Sequence, residues 1–380
     1  MVIRKPVSVL QVVGAMWAGG IETWLVQVLR RLDQKQFQVD ILTHTDEECF
    51  YDKEVRSLGA RLIPCLHPSQ PWRYIYNFRR ILKEYGPYDV VHSHVFRYSG
   101  LVMRLAAAAR VPLRLVHSHT MFENRRLTML RRGYNTLMNR WLNENTTDFL
   151  TVSPDAAAAL FGLGNTKIHL IPPGINLVPF QDNTSRENVK KSLGFPLEVK
   201  ILGHVGRFEE AKNHFFFLDV AQKLSRKDPN FWFLLVGDGS LRNQVEARAL
   251  ELGLADRVVF AGLRSDVPRL LKGAVDLLLF PSKWEGFGRV IVEAQAAGVP
   301  CLISDVIPPD VDLVQPLVRR LSLVQPPEVW AEAAWDILQS PPPISREAAL
   351  QQVEESPFNI VNSVRELEKL YLTAHERLQK

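Results

Sequence analysis

Pro281-Ser282-Lys283-Trp284-Glu285-Gly286-Phe287-Gly288-Arg289-Val290-Ile291-Val292-Glu293-Ala294 decides how the chain is read. The apolar run 275–280 enters this stretch with the pattern of a buried strand, and residues 290–297 leave it with the pattern of a helix. Gly286 and Gly288 lie in the loop between them. A strand, a glycine loop and a helix start, in that order, present unpaired backbone N–H groups to an anion. Glu285 precedes the helix and Glu293 falls in its early turns, with seven residues between them. Local geometry does not bring two carboxylates so spaced into a close acid/base dyad. They suit two ends of one polyhydroxylated ligand.

Outward from this stretch the chain repeats the same βα grammar. Residues 7–13 read as a strand, Gly14 to Gly20 as a glycine-rich loop, and 21–32 as a helix. That helix carries Glu22 in its first turn and Arg30-Arg31 in its last, matching the helix dipole. Glycines at 14, 19 and 20 do not fit G-x-G-x-x-G, so a dinucleotide fingerprint is not supported. Adjacent glycines at a helix start cost stability and point to a close approach of backbone and ligand. Further strands are expected at 37–43, 61–63, 88–94, 113–118, 147–152 and 167–171, with helices at 52–58, 71–85, 98–109, 121–145 and 156–161.

Pro172-Pro173-Gly174 closes a first domain, 1–176, and the polar stretch 177–196 reads as a linker. A second domain, 197–356, begins again with a strand at 200–205. Strands follow at 231–236, 258–260, 275–280 and 300–304, with helices at 214–225, 241–252, 267–272 and 326–338. A terminal helix is expected over 358–378, within a last segment 357–380. Strands alternating with helices imply parallel sheets, and ligands bind beyond the carboxyl ends of such strands.

A chain of 380 residues has room for two domains. Cys49, Cys65 and Cys301 form no C-x-x-C pair, which argues against a disulfide framework or a zinc site and for a reducing compartment. No run is long and apolar enough to span a bilayer. Residues 7–13 contain Ser8 and Gln11 and end in a glycine turn, so they read as a buried strand rather than a signal peptide. A cytosolic protein is expected. Residues 1–180 hold 22 Lys+Arg against 14 Asp+Glu, a surplus of eight, and the remainder 24 against 27. Nine arginines and a single acid, Glu123, fall within 97–140. One reading is an ordinary solvated face. The other is attraction to an anionic surface: inner-leaflet lipid, a pyrophosphate-bearing acceptor or nucleic acid. The segment 121–145 reads either as an amphipathic basic helix lying on a membrane or as an ordinary helix packing Leu130, Leu137, Met138 and Trp141 inward.

His92/His94 and His117/His119 close two of the expected strands. Strand alternation is read as placing the members of each pair on opposite faces. With no carboxylate motif beside them, a metal site is not expected. In the second half, Arg207 and Lys212 lie five apart, after a strand and before a helix, and form a candidate pyrophosphate clamp of one fork and one point charge.

Glu285 and Glu293 around Gly286-Phe287-Gly288, together with Gly206-Arg207-Phe208-Glu209-Glu210-Ala211-Lys212-Asn213, resemble the signatures of the GT4 family of retaining glycosyltransferases. Residues 206–213 match the family pattern G-R-x-x-x-x-K-N. The resemblance covers nearly the whole chain and is strongest at 203–214 and 281–298. It weakens near 305–325, where Asp310 stands in a loop that carries glutamate in many members, and no role is assigned there.

The resemblance implies the GT-B fold, with two Rossmann-like domains facing each other across a cleft and a terminal helix crossing back to the first. It implies a nucleotide-diphosphate sugar, UDP-linked, as donor substrate, with no metal and no resident cofactor. Arg207 and Lys212 would stabilise the leaving diphosphate with the loop and helix start Gly286, Phe287, Gly288, Arg289 and Val290. Glu293 would hold the ribose and Glu285 a sugar hydroxyl. His119 would contact the transferred sugar, while His94 and His117 are read as structural. Gly19 and Gly20 would leave room for phosphate and acceptor, and Gly262 and Arg264 would lie against the base through backbone groups.

Ile303-Ser304-Asp305-Val306-Ile307-Pro308 and Leu321-Ser322-Leu323 are similar to the exopolysaccharide and capsular branch. That branch implies a saccharide or lipid-linked saccharide acceptor at the inner membrane face, and no nucleic acid. Two other readings stay open. A UDP-sugar 2-epimerase shares the fold but needs no acceptor, and its carboxylate and histidine loops are not evident. A non-catalytic sugar- or nucleotide-binding subunit would not need Arg207, Lys212, Glu285 and Glu293 all intact.

Overall fold

The computed structural model describes residues 5–119, 128–162 and 168–377. The chain divides into two compact units, one formed by 1–174 with 360–380 and the other by 175–359.

In the first unit, β1 (Val7–Val12), α1 (Gly20–Leu29), β2 (Phe37–Thr43), α2 (Asp52–Ser57), β3 (Arg61–Pro64), α3 (Pro71–Tyr85) and β4 (Val90–Ser93) follow in turn. After them come α4 (Ser99–Ala108), β5 (Leu113–Ser118), α5 (Met129–Asn145), β6 (Asp148–Thr151), α6 (Pro154–Phe161) and β7 (Ile168–Leu170). The seven strands form one sheet in the order β3-β2-β1-β4-β5-β6-β7. β1 pairs parallel with both β2 and β4, with Val9 opposite Val39 on one side and Val90 on the other.

Side chains alternate across each strand, so Val7 and Val9 enter one core while Leu10 and Val12 enter the other. Burial on both faces is why these strands read as near-continuous apolar runs. The C-terminal helix, Ile360–Arg377, belongs to this unit. Ile360, Val364, Leu367, Tyr371 and Ala374 recur at helical spacing and enter the same core as β1 and α1.

On α5, Met138 and Leu142 turn inward and Trp141 is half-buried under the Arg104 guanidinium, 4.7 Å from its ring centre. Leu130, 89% exposed, and Leu137 face outward, against the inward packing that one of the two sequence readings gave them. The inward face is set by the contact of α5 with α4. There a Cβ at Gly100 would lie 2.2 Å from the Met138 carbonyl oxygen. Thr120, Arg125, Arg126 and the start of the expected helix lie outside the described residues.

The second unit begins with α7 (Val178–Gln181) and α8 (Arg186–Ser192) and continues through β8 (Lys200–Val205), α9 (His214–Lys227), β9 (Phe231–Val236), α10 (Arg242–Glu251), β10 (Val258–Gly262) and α11 (Val267–Gly273). It ends with β11 (Leu277–Phe280), α12 (Arg289–Ala296), β12 (Cys301–Ser304), β13 (Val318–Leu321), α13 (Pro327–Gln339) and α14 (Arg346–Glu355), after which the C-terminal helix is α15. Its sheet order is β10-β9-β8-β11-β12-β13, all pairs parallel.

Residues 177–196 are not a free linker. Phe180 and Val189 are buried. Lys272 Nζ donates to the Phe180 carbonyl at 2.6 Å, and Arg186 pairs with Asp276 at 2.6 Å. Two apolar anchors among polar neighbours suffice to bind the stretch to the second unit. β13 and α14 were not evident in the sequence. Arg319 and Arg320 interrupt the apolar run of β13, and the edge position permits this: Arg320 turns to Asp312 through two contacts of 2.8 Å.

Candidate active site

Each sheet reverses its winding at one point: between β1 and β4 in the first unit, and between β8 and β11 in the second. Loops leaving the strands at such a point part to opposite faces and open a crevice at the carboxyl ends.

In the second unit the crevice is bordered by the loops after β8 and β11. A Cβ on Gly206 would stand 3.2 Å from the Lys212 stem. Gly237, at φ +135°, sits so close that a Cβ there would lie 2.1 Å from the Gly206 carbonyl oxygen. Only glycine fits this place, and it holds the β8 loop against the end of β9. Lys212 is thereby laid across the loop. Its ammonium stands 4.9 Å from the Phe280 ring centre and forms an ion pair with Glu285. The two side chains are 22% and 10% exposed. Arg207 is more open and meets Glu209 at 3.3 Å.

Gly288, at φ +88°, is the N-cap of α12, whose first N–H groups face the same crevice end of β11. One turn on, Arg289 Nε donates to Glu293 Oε1 at 2.8 Å, a pair almost wholly buried. Glu285 and Glu293 therefore each hold a cation. Phe287 stacks on Phe358 with ring centres 4.8 Å apart, which anchors the loop. Arg264 is turned to Asp266 by contacts of 2.7 and 2.8 Å. Gly262, at φ +67°, borders a cavity of about 460 Å³ lined also by Asp238, Gly239, Ser240, Arg242, Asn243 and Glu246.

In the first unit, Gly19 is the extended N-cap of α1, and a Cβ on Gly20 would meet nothing within 4 Å. Among the described residues nothing requires glycine at Gly20, and the space beside it is open. Across the sheet, the imidazoles of His92, His94, His117 and His119 gather into one cluster. Residues two apart on a strand share a face, so the expectation that alternation separates each pair is overturned. Ring centres lie 4.2 Å apart for His92–His94 and 4.0 Å for His117–His119.

His92, His94 and His117 offer nitrogens all within 4.8 Å of one another. Both nitrogens of His94 are hydrogen-bonded, His92 Nδ1 meets Tyr371 Oη at 2.9 Å, and His117 Nε2 donates to the Ile171 carbonyl at 3.2 Å. Of the three, among the described residues, His92 Nε2 and His117 Nδ1 lack a hydrogen-bond partner, fewer free nitrogens than the three or four ligands a zinc site uses. The cluster is therefore organised as a hydrogen-bonded network. Trp24, fully buried, packs its edge or face on His94, His117 and His119 at 5.3–6.0 Å. Gln11, Trp24 and Tyr371 were not singled out in the sequence. A buried glutamine inside the apolar run of β1 was the available signal.

Burial pushes the His117 imidazole down to about 3. His92, His94 and His119 are pushed well below the ordinary histidine range by burial, with neighbouring imidazoles adding to it. In the second unit burial takes His204 down to about 4 and His214 to about 2. Unfolded histidine titrates near 6.5. Between that value and the lowered ones the unfolded chain binds more protons, so stability is complete above about pH 6.5 and falls as the pH falls below it. Urea midpoints of both units should therefore drop together between about pH 6.5 and 4.5. Equal midpoints at those two pH values would refute the buried neutral state of these rings.

Two doubly wound α/β units, each with a glycine-bearing crevice at its switch point, define the GT-B class of architecture. The chain belongs to the GT4 family of glycosyltransferases. The family model for glycosyl transferases group 1 matches residues 185–355, and that for glycosyltransferase family 4 matches 18–178. The chain is 37% identical to EpsF of Bacillus subtilis over 85% of its own length and 86% of that protein's. It is 27% identical to the UDP-Gal:alpha-D-GlcNAc-diphosphoundecaprenol alpha-1,3-galactosyltransferase of Escherichia coli, over 76% of each chain. In fold it is similar to Anabaena HepE, solved in complex with UDP and glucose, with a TM-score of 0.81 at 17% identity over 97% of this chain and 100% of that one.

Proposed function

We propose that this glycosyltransferase moves a sugar, with retention of anomeric configuration, from a UDP-sugar to a saccharide carried on a lipid diphosphate in exopolysaccharide assembly. The observation that carries the reading is the gathering of Lys212, Glu285, the Arg289–Glu293 pair and the start of α12 at one switch point. A leaving diphosphate gathers negative charge in the transition state. Lys212, Arg207 and the N–H groups from Gly286 to Val290 oppose that charge from fixed positions, a preorganised electrostatic term that asks for no metal.

Glu285 holds a sugar hydroxyl once the diphosphate takes over the Lys212 ammonium. Glu293, oriented by Arg289, takes the ribose hydroxyls. The cavity beside Gly262 receives the base, with Arg264 contributing its backbone. His119 meets the transferred sugar, and the open space at Gly19-Gly20 admits phosphate and acceptor.

The Escherichia coli relative acts on a diphosphoundecaprenol-linked sugar, which supports the acceptor class. So does the surface of α5, where Met129 and Leu130 stand exposed beside Arg132. Such a surface suits the inner face of a membrane. Among the described residues no helix is long and apolar enough to cross one.

A thermal-shift comparison of UDP, GDP and ADP, with and without magnesium, tests the donor site on wild type and Lys212→Ala. A UDP-selective rise in Tm without metal, lost in the variant, is expected. An equal response to all three nucleotides, or none to any, would overturn the UDP-sugar reading.

A further inference from the structure

A continuous series of buried hydrogen bonds joins α15 to the end of β5. The Gln11 amide nitrogen donates to Tyr371 Oη at 2.8 Å. Gln11 Oε1 faces His94 Nε2 at 2.9 Å, and His94 Nδ1 faces His119 Nε2 at 2.8 Å. Gln11 lies on β1, His94 just beyond β4, His119 just beyond β5 and Tyr371 on α15. The series thus runs across the switch point of the first unit and ends at His119. Gln11 is 2% exposed and Tyr371 fully buried, so water does not compete for these bonds.

The series has a direction. An amide oxygen only accepts, so His94 Nε2 carries the hydrogen. His94 is neutral by burial, and a neutral imidazole holds a single N–H, which leaves a lone pair on His94 Nδ1. That lone pair accepts, so His119 Nε2 is the donor of the last bond. His119, neutral for the same reason, is left with its own lone pair on Nδ1.

We propose that Tyr371, Gln11 and His94 are positioning residues that lock His119 in its Nε2–H tautomer, so that it meets the sugar as a hydrogen-bond acceptor. The inference rests on the reading that His119 contacts the transferred sugar. A neutral accepting ring takes a sugar O–H and does not oppose the positive character that glycosyl transfer builds on the sugar carbon. The opposite tautomer would present an N–H and could not take that hydrogen. Helix α15 holds the same assembly at a second point, since Trp24 Nε1 donates to Ser363 Oγ at 3.1 Å while the indole walls the histidines.

The test is long-range ¹H–¹⁵N spectroscopy of the full chain labelled at histidine, which reads each ring's tautomer directly. In wild type, His94 and His119 should both show Nε2–H with an unprotonated Nδ1. Gln11→Met removes the oxygen that sets the direction. His119 should then populate the other tautomer, and kcat should fall about tenfold, the scale seen when a partner that orients an imidazole is lost, with the donor KM within about twofold. A merely structural glutamine would not move the tautomer of a ring two bonds away. Tyr371→Phe should change the His119 signal in the same sense but less. Nδ1–H on His119 in wild type, or a Gln11→Met protein with unchanged tautomer and rate, would overturn the proposal. Should the tautomer be as inferred while His119→Ala keeps full activity, the sugar contact falls and the positioning role falls with it. The family-level reading of the second unit would be untouched by any of these outcomes.

Discussion

Lys212→Ala should lower kcat by a factor on the order of 10²–10³ while the protein stays folded, the range seen when one preorganised donor to a developing anion is removed. The ammonium lies at the switch point of the second unit, laid across Gly206 and facing Phe280. Its position is set by packing, so on the proposed reading it would not have to be reorganised as charge moves onto the diphosphate. The substitution has a second consequence. Glu285, 10% exposed, loses its cation and becomes an uncompensated charge, which destabilises the unit.

The two effects separate in the double variant Lys212→Ala/Glu285→Gln, where the stranded charge is gone. Its urea midpoint should recover and its activity should not. Lys212→Arg should also be impaired, because a planar fork does not reproduce the compact ammonium held against Phe280 and Glu285. Steady-state kinetics with any accepted donor provides the check. An alanine variant within threefold of wild type would remove Lys212 from the chemistry.

Trp24→Ala should cost the first unit about 3–5 kcal/mol, the range for emptying a buried aromatic site. Trp24, on α1, is fully buried against the histidine cluster and is hydrogen-bonded to α15 through Ser363. The cavity left behind would be lined by imidazoles. Chemical denaturation followed separately for each unit is the measurement, and a loss below 1 kcal/mol would show that the site collapses around the gap. Trp330→Ala is the matched control. It empties an equally buried site in the second unit and should leave the His119 tautomer as it is in wild type.

The βα alternation was legible because both sheets are parallel and buried on two faces, which leaves long apolar runs punctuated by glycine and proline. The loops at 206–213 and 281–294, which the structure places at the switch point of the second unit, were legible for a related reason. Their glycines stand beside charged residues within a few positions of a strand end and a helix start, a pattern that is visible locally. What failed did so through weak local signals. β13 carries Arg319 and Arg320 and forms only because an edge strand tolerates them. Residues 177–196 look like a polar linker, yet Phe180 and Val189 bind them to the second unit.

The amino-acid sequence by itself determined the fold class, the family and the local set of charged and glycine residues in the second unit, because each depends on periodicity or on neighbours within a few positions. Only the tertiary structure decided which charges pair. Lys212 meets Glu285 across 73 positions of chain. The histidine network is a stronger case. Gln11, His94, His119 and Tyr371 are spread over 360 positions and meet only because β1, β4 and β5 lie side by side while α15 returns to pack on them. A hydrogen bond requires a donor and an acceptor about 3 Å apart at a set angle, and no local pattern encodes such a meeting between distant segments.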